Sequence, residues 1–231
     1  MENIFQTVSV DYIDTDKKNV GQVVISPCNK GFGTTVGNAL RRVLLSSLPG
    51  AAIESVKIEG VQHEFSAIEG VKEDMIQVIL NLKQIALKSH SEEKVTLTLT
   101  KKGKGPVTVG DFDKNSDIEI IDEDFVIANV TDDNKKFVME VTIGTGHGYV
   151  PVSEKDTQNL DLGNIAIDSI YTPIRDVGYK VEMTRVGDVT DFEKLTITVE
   201  TNGTISPKDA ITESSKILMD HFSWIIDAAK A

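Results

Sequence analysis

The C-terminal segment constrains this chain most. Ser206-Pro207-Lys208-Asp209 carries the start signals of a helix. A Ser side chain accepts the free backbone N–H at the third helical position, Pro suits the first position where no donor is needed, and Asp favours the positive end of the dipole. The helix is expected to run from Pro207 toward Lys230, about 24 residues or ~36 Å at 1.5 Å per residue. Within it Ala210, Ile211, Ile217, Leu218, Met219, Phe222, Trp224, Ile225, Ile226, Ala228 and Ala229 spread over roughly 220° of the wheel, about twice the width a core-facing helix needs. Apolar area left in water costs ~25 cal/mol per Å², so a second burying surface is expected. It is either another copy of the chain, the simplest supply, or the middle of the same chain folded over that face.

A second helix is expected over Thr34 to Leu48. Pro27, Gly31 and Gly33 break the pattern before it, Pro49 cannot continue its hydrogen-bond ladder, and Gly50 supplies the permissive backbone of a C-terminal turn. On its wheel Val36, Ala39, Leu40, Val43 and Leu44 share one side, while Leu45 points nearly opposite, flanked by Asn38, Arg41 and Arg42. An apolar residue ringed by guanidinium groups reads in two ways. It is a partner patch, since Arg pairs bidentately and is weakly hydrated, or a solvated face with an incidental Leu.

Three blocks organise the chain. Residues 1–50 read strand, strand, helix, with alternating Val8, Val10 and Tyr12 and a β-branched run from Val20 to Ile25. Residues 51–172 are mostly short strands with one helix, Lys72 to about Gln84; Val95, Leu97 and Leu99 alternate with threonines, and Phe137, Met139, Val141 and Ile143 repeat the period of two. Residues 173–231 return to the opening theme with strands at Gly178–Val186 and Lys194–Thr201 before the final helix. The fold class expected is α+β.

Charge narrows the function. The 231 residues hold 24 Lys+Arg against 36 Asp+Glu, a net charge of −12. Duplex binding is driven by cations that release phosphate counterions, so this balance argues against the chain being a main nucleic-acid grip. The single cysteine, Cys28, cannot form an internal disulfide and fits a reducing compartment, with the cytoplasm as the expected location. The opening Met1 to Gln6 has no basic region followed by an apolar run, and no segment approaches the ~18 apolar residues of a membrane span.

Other chemistry finds weak footing. Asp111-Phe-Asp113-Lys-Asn115-Ser-Asp117 begins like a calcium loop but has Ser116 where the sharp turn wants Gly and Asp122 where a bidentate Glu belongs; a solvated acidic loop is expected. Gly144-Thr-Gly146-His-Gly148 resembles a phosphate cradle, yet Tyr149 and Pro151 replace the turn into a helix, so it is expected to be a loop. His63, His90, His147 and His221 are too scattered for a zinc motif. No tight carboxylate cluster for two Mg²⁺ ions is present. Neither cofactor nor metal is expected. The competing reading is a stand-alone nucleotide- or metal-binding α+β domain.

The run Gly31-Phe-Gly-Thr-Thr-Val-Gly-Asn-Ala-Leu-Arg-Arg-Val-Leu-Leu-Ser-Ser-Leu-Pro-Gly50 resembles the signature segment of the bacterial DNA-directed RNA polymerase alpha subunit, N-terminal domain. Further segments agree in order: Gly60-Val-Gln-His-Glu-Phe-Ser, Glu69-Gly-Val-Lys-Glu-Asp, Leu80-Asn-Leu-Lys83, Gly105-Pro-Val-Thr108, Gly148-Tyr-Val-Pro151, Tyr171-Thr-Pro173 and Glu200-Thr-Asn-Gly-Thr-Ile205. The resemblance spans the whole chain.

It implies a non-catalytic scaffold that homodimerises and then nucleates the polymerase, one copy holding the beta subunit and the other beta-prime. The family's layout implies a dimerisation domain from residues 1–50 plus 173–231, with residues 51–172 inserted as a β-rich domain. The dimer interface would draw on Val36, Leu40, Val43 and Leu44 of the first helix and on Ile211, Leu218, Phe222, Trp224 and Ile225 of the last. Beta-subunit contact maps onto Arg41, Arg42, Leu45 and Ser46, with Lys83 as a further large-subunit contact, and beta-prime contact onto Tyr171, Arg175 and Lys180. The family usually adds a linker and a small promoter-binding domain; this chain stops at Ala231, and no direct DNA contact is expected from it. As part of a polymerase it would be nucleoid-associated.

Overall fold

A computed structural model describes residues 8–155 and 161–228. In chain order its elements are β1 (Ser9–Asp14), β2 (Val20–Asn29), α1 (Phe32–Ser46), β3 (Pro49–Ile58), α2 (Met75–Leu82), β4 (Leu87–Ser89), β5 (Val95–Lys102), β6 (Gly105–Thr108), β7 (Ile118–Ile120), β8 (Val126–Val130), β9 (Lys136–His147), β10 (Tyr149–Val150), β11 (Asn164–Ala166), β12 (Ser169–Ile170), β13 (Ile174–Val186), β14 (Val189–Thr201) and α3 (Pro207–Ala228). The fold is α+β with antiparallel strand pairing, and the chain forms two compact units, Met1–Leu48 with Thr172–Ala231, and Pro49–Tyr171. The expected helix end at Lys230, together with Ala229 and Met1 to Gln6, lies outside the described residues.

The first unit is a four-stranded sheet in the order β1-β2-β14-β13, with α1 and α3 packed on it. Val23, Val177, Leu195, Ile197 and Val199 from the sheet meet Leu40, Leu44 and Leu48 and, from α3, Ala210 and Ile211. β13 and β14 join through Gly187-Asp188, where Gly187 takes φ 60°, so both strands run longer than their apolar cores alone signalled. Pro27 does not end β2. It falls where β14 shifts register between Glu193 and Leu195, opposite Cys28 and Ile25, and a bulge tolerates a residue that cannot donate to the ladder. β1 is an edge strand with every side chain exposed; the alternation of Val10 and Tyr12 therefore marks a strand without marking a core face.

Helix α1 is shifted two residues from the expected Thr34–Leu48 at both ends. Pro49 disfavours helical geometry at Leu48, the residue before it. The last turn closes at Ser47, whose N–H donates to Val43 O at 2.9 Å. Gly50, expected in a C-terminal turn, instead pairs with Gly146 inside β3.

The second unit is built on a sheet in the order β5-β9-β3-β4-β7, with β11 also pairing β3. Leu97 and Leu99 of β5 and Phe137, Met139, Val141 and Ile143 of β9 are buried, as period-two alternation requires, and pack with Met75, Val78 and Leu82 of α2. α2 is shorter than the expected Lys72 to Gln84. Asp74 caps it by accepting Gln77 N–H at 2.8 Å, while Lys72 N–H donates to Asn129 O and the Glu73 carboxylate takes the Asn129 N–H, tying residues 72 and 73 to β8. Residues 144 to 147, expected as a loop, complete β9 against β3. A Cβ on Gly144 would overlap the Glu54 carboxylate, and one on Gly146 would stand 2.9 Å from the Tyr171 ring. Close approach explains these glycines.

Candidate functional site

In the first unit the two helices divide their faces sharply. α1 turns Gly33, Gly37, Leu40 and Leu44 to the core and Arg41, Arg42, Leu45 and Ser46 to solvent. Gly37 makes the close packing possible, since a Cβ there would lie 2.8 Å from the Tyr179 ring and 3.0 Å from Leu195. Among the described residues neither Arg41 nor Arg42 has an ion-pair partner, and Ser46 Oγ donates back to Arg42 O at 2.8 Å. The outward face is thus two unengaged guanidinium groups beside an apolar side chain.

α3 changes character along its length. Ser206 Oγ accepts Asp209 N–H at 3.1 Å and starts the helix. Ala210, Ile211 and Ser214 are buried, and Ile217 and Leu218 pack at the edge of the core. Beyond them every residue from Met219 to Ala228 is exposed. Phe222, Trp224 and Ile225 are 58%, 65% and 66% exposed, with Ile226 beside them. This is about 15 Å of helix, at 1.5 Å per residue, whose apolar side chains no described residue of its own unit covers.

The nine expected dimer residues accordingly separate. Phe222, Trp224 and Ile225 are open, and Val36, Val43 and Leu218 are half-buried. Leu40, Leu44 and Ile211 are spent in the unit's own core and have no area left for a partner. Their wheel position is the same as that of the others on their face; only the sheet beneath them decides the difference.

In the second unit Lys83 follows α2 as its C-terminal cap and reaches Asp168 Oδ2 at 2.8 Å. The bond from Lys83 and the Val152 N–H hold the Asp168 carboxyl below its ordinary range. Around this pair Phe65, Ile76, Ile79, Leu80, Val152 and Ile167 line a groove of about 330 Å³. Phe65 is 75% exposed, and Ile76 and Leu80 are also open to solvent. Sequence reasoning found Lys83 but missed this apolar rim; its signal was Phe65 and Leu80 within the quoted motifs.

The expected beta-prime residues fall in different units. Tyr171 ends the second unit and is buried, so it offers a partner little surface. Arg175 and Lys180 are exposed on β13 in the first unit, and Lys180 pairs with Glu182 at 2.8 Å.

Tyr171 belongs to an internal polar network. Its hydroxyl donates to Glu54 Oε1 at 2.6 Å, and Lys94 pairs with Glu54 Oε2 at 2.7 Å. Burial works to raise the Glu54 pKa, but the hydrogen bonds from Lys94 and Tyr171 outweigh it and leave the carboxyl below its ordinary value. Burial and the Glu54 acceptor push the Tyr171 phenol up to about 12. Lys155 donates to Ser169 Oγ at 2.6 Å, whereas activating a serine nucleophile would require a neutral amine accepting the hydroxyl proton. Here Ser169 is buried and donates to Ile53 O at 3.0 Å, while Lys155 also donates to the carbonyls of Glu54 and Ile167. The pair ties loop to strand.

The motifs weighed for ligand chemistry are engaged structurally. Asp111 binds Lys101 Nζ at 2.8 Å and the Thr108 N–H at 2.9 Å, closing a reciprocal cap rather than pointing into the acidic loop. Among the described residues no three His, Cys, Asp or Glu side chains gather as a metal ligand set. Nor is any described helix long and apolar enough to cross a membrane.

The chain falls among RNA polymerase subunits: residues 56–172 match the family described as RNA polymerase Rpb3/RpoA insert domain. Relatives from two strains of Clostridium kluyveri, both named DNA-directed RNA polymerase subunit alpha, are 46% identical over 214 residues, covering 92% of this chain and 68% of each relative. The chain belongs to the bacterial DNA-directed RNA polymerase alpha subunit family.

Proposed function

We propose that this chain is a non-catalytic assembly subunit of a cytoplasmic, nucleoid-associated DNA-directed RNA polymerase, a nucleotidyltransferase complex whose reacting metal and carboxylates reside in partner subunits. Two copies pair through the open end of α3, with Phe222, Trp224 and Ile225 as anchors and the half-buried Val36, Val43 and Leu218 as flanks. The dimerisation domain is the first unit and the β-rich insert is the second. Arg41, Arg42, Leu45 and Ser46 meet the beta subunit in one copy, with Lys83 as a further large-subunit contact; Arg175 and Lys180 meet beta-prime in the other.

The observation that carries this reading is the bare apolar end of α3. Burying it removes aromatic and aliphatic area from water at about 25 cal/mol per Å², and a twofold contact makes one patch serve both partners. Sedimentation equilibrium of the purified chain tests it, with a dimer expected and a monomer fatal to the reading. Arg42→Ala is expected to abolish capture of the beta subunit while the dimer persists.

A further inference from the structure

Helix α1 has no capping side chain of its own. Its N-cap is Gly31, at φ 86°, and no acidic residue occupies its first turn. The free N–H groups at a helix start require acceptors, and the aligned peptide dipoles favour an anion there. Glu193 of β14 supplies both, although it lies 162 residues along the chain from Gly31. Gly31 N–H donates to its Oε1 and Gly33 N–H to its Oε2, each at 2.9 Å. The residue is 8% exposed, and hydrogen bonds to an ionised acceptor are about twice as strong as neutral ones.

Two features deliver the carboxylate. The register shift beside Glu193 puts an extra residue in β2, which steps three residues from Cys28 to Ile25 while β14 steps two from Glu193 to Leu195, and such bulges re-aim neighbouring side chains. Gly33 leaves the space, because a Cβ there would stand 2.8 Å from Glu193 Oε2. One turn later Gly37 seats against Tyr179 and Leu195. α1 is therefore gripped at its start by a charge and along its inner side by close backbone packing, which sets both its axial position and its roll.

We infer that Glu193 is the positioning residue of the α1 face: by pinning the helix start to β14 it sets where Arg41, Arg42 and Leu45 are presented. The inference rests on the proposed use of that face, but Glu193 itself touches no partner. Its cap and the three outward residues are separate parts of one helix.

The test compares Glu193→Gln, which keeps the shape and one acceptor oxygen, with Glu193→Ala in the full chain. Three quantities are read: solution mass, amide hydrogen exchange along α1, and capture of the beta subunit. The expected result is an unchanged mass, exchange at Gly31 and Gly33 accelerated about tenfold in Glu193→Ala and less in Glu193→Gln, and capture weakened in the same order. A role in general stability alone predicts instead that protection falls evenly across the first unit. That even loss, unchanged protection at Gly31 and Gly33, or freed amides with full capture would each overturn the inference. An Arg42→Ala control that still captures the beta subunit places the fault in the use assigned to the face; the Gly31 and Gly33 amides then still decide whether Glu193 holds α1.

Discussion

The Tyr171 hydroxyl donates to Glu54 Oε1 at 2.6 Å, joining the last residue of the second unit to the middle of β3. Only the protonated phenol can donate. Its pKa is pushed up to about 12, so its stabilisation is complete below the unfolded value near ~10 and is lost as pH rises through about 12. Tyrosinate absorbance should show one late step, absent in Tyr171→Phe. That variant is expected to lose about 1–3 kcal/mol, since a partly buried carboxylate loses a donor. A late step that persists in Tyr171→Phe would assign it to another tyrosine.

Lys83 and Asp168 make the opposite prediction at the acid end. The Lys83 hydrogen bond is the largest cause holding the Asp168 carboxyl low, so the pair's stabilisation is present above the unfolded Asp value near ~3.9 and fades as pH falls below it. Lys83→Met should flatten the acid limb of the stability curve and cost about 1 kcal/mol near neutral pH, because the pair is partly open to water. Urea unfolding at stepped pH measures both; an acid limb identical to the parent's contradicts the assignment.

Trp224→Lys and Phe222→Lys should separate association from folding. Both side chains are exposed in the single chain, so substitution is expected to change the stability of the unit by no more than ~0.5 kcal/mol while converting a dimer to a monomer. Sedimentation with circular dichroism reads the two effects. A dimer of undiminished affinity would move the interface off α3.

Leu44→Ala should behave in the reverse way. Leu44 is wholly buried in the first unit's core, and truncation there is expected to cost about 2–5 kcal/mol in thermal or denaturant unfolding. A loss below about 0.5 kcal/mol, the level of a surface change, would return Leu44 to the partner-facing set.

These variants mark where legibility stopped. The buried face of β9, the start of α3 at Ser206 and the outward turn of Arg42 were all readable, because pleat, cap chemistry and helical period act over a few residues. Other readings failed for want of a distant neighbour. Gly144 and Gly146 read as loop residues until β3, Glu54 and Tyr171 were beside them. Leu44 and Trp224 are both apolar residues on apolar helices, yet one is covered and the other bare.

Local periodicity and termination signals determined that three helices stand among the strands, and the chain's long ordered motifs determined the family. Tertiary structure alone decided which apolar side chains were used up internally, that Pro27 lies at a bulge inside β2, and that Glu193 caps a helix whose start lies 162 residues away in the chain. The reason is range. Backbone geometry is set by neighbours a few residues away, whereas burial and capping by a remote carboxylate exist only once segments far apart in the chain have met.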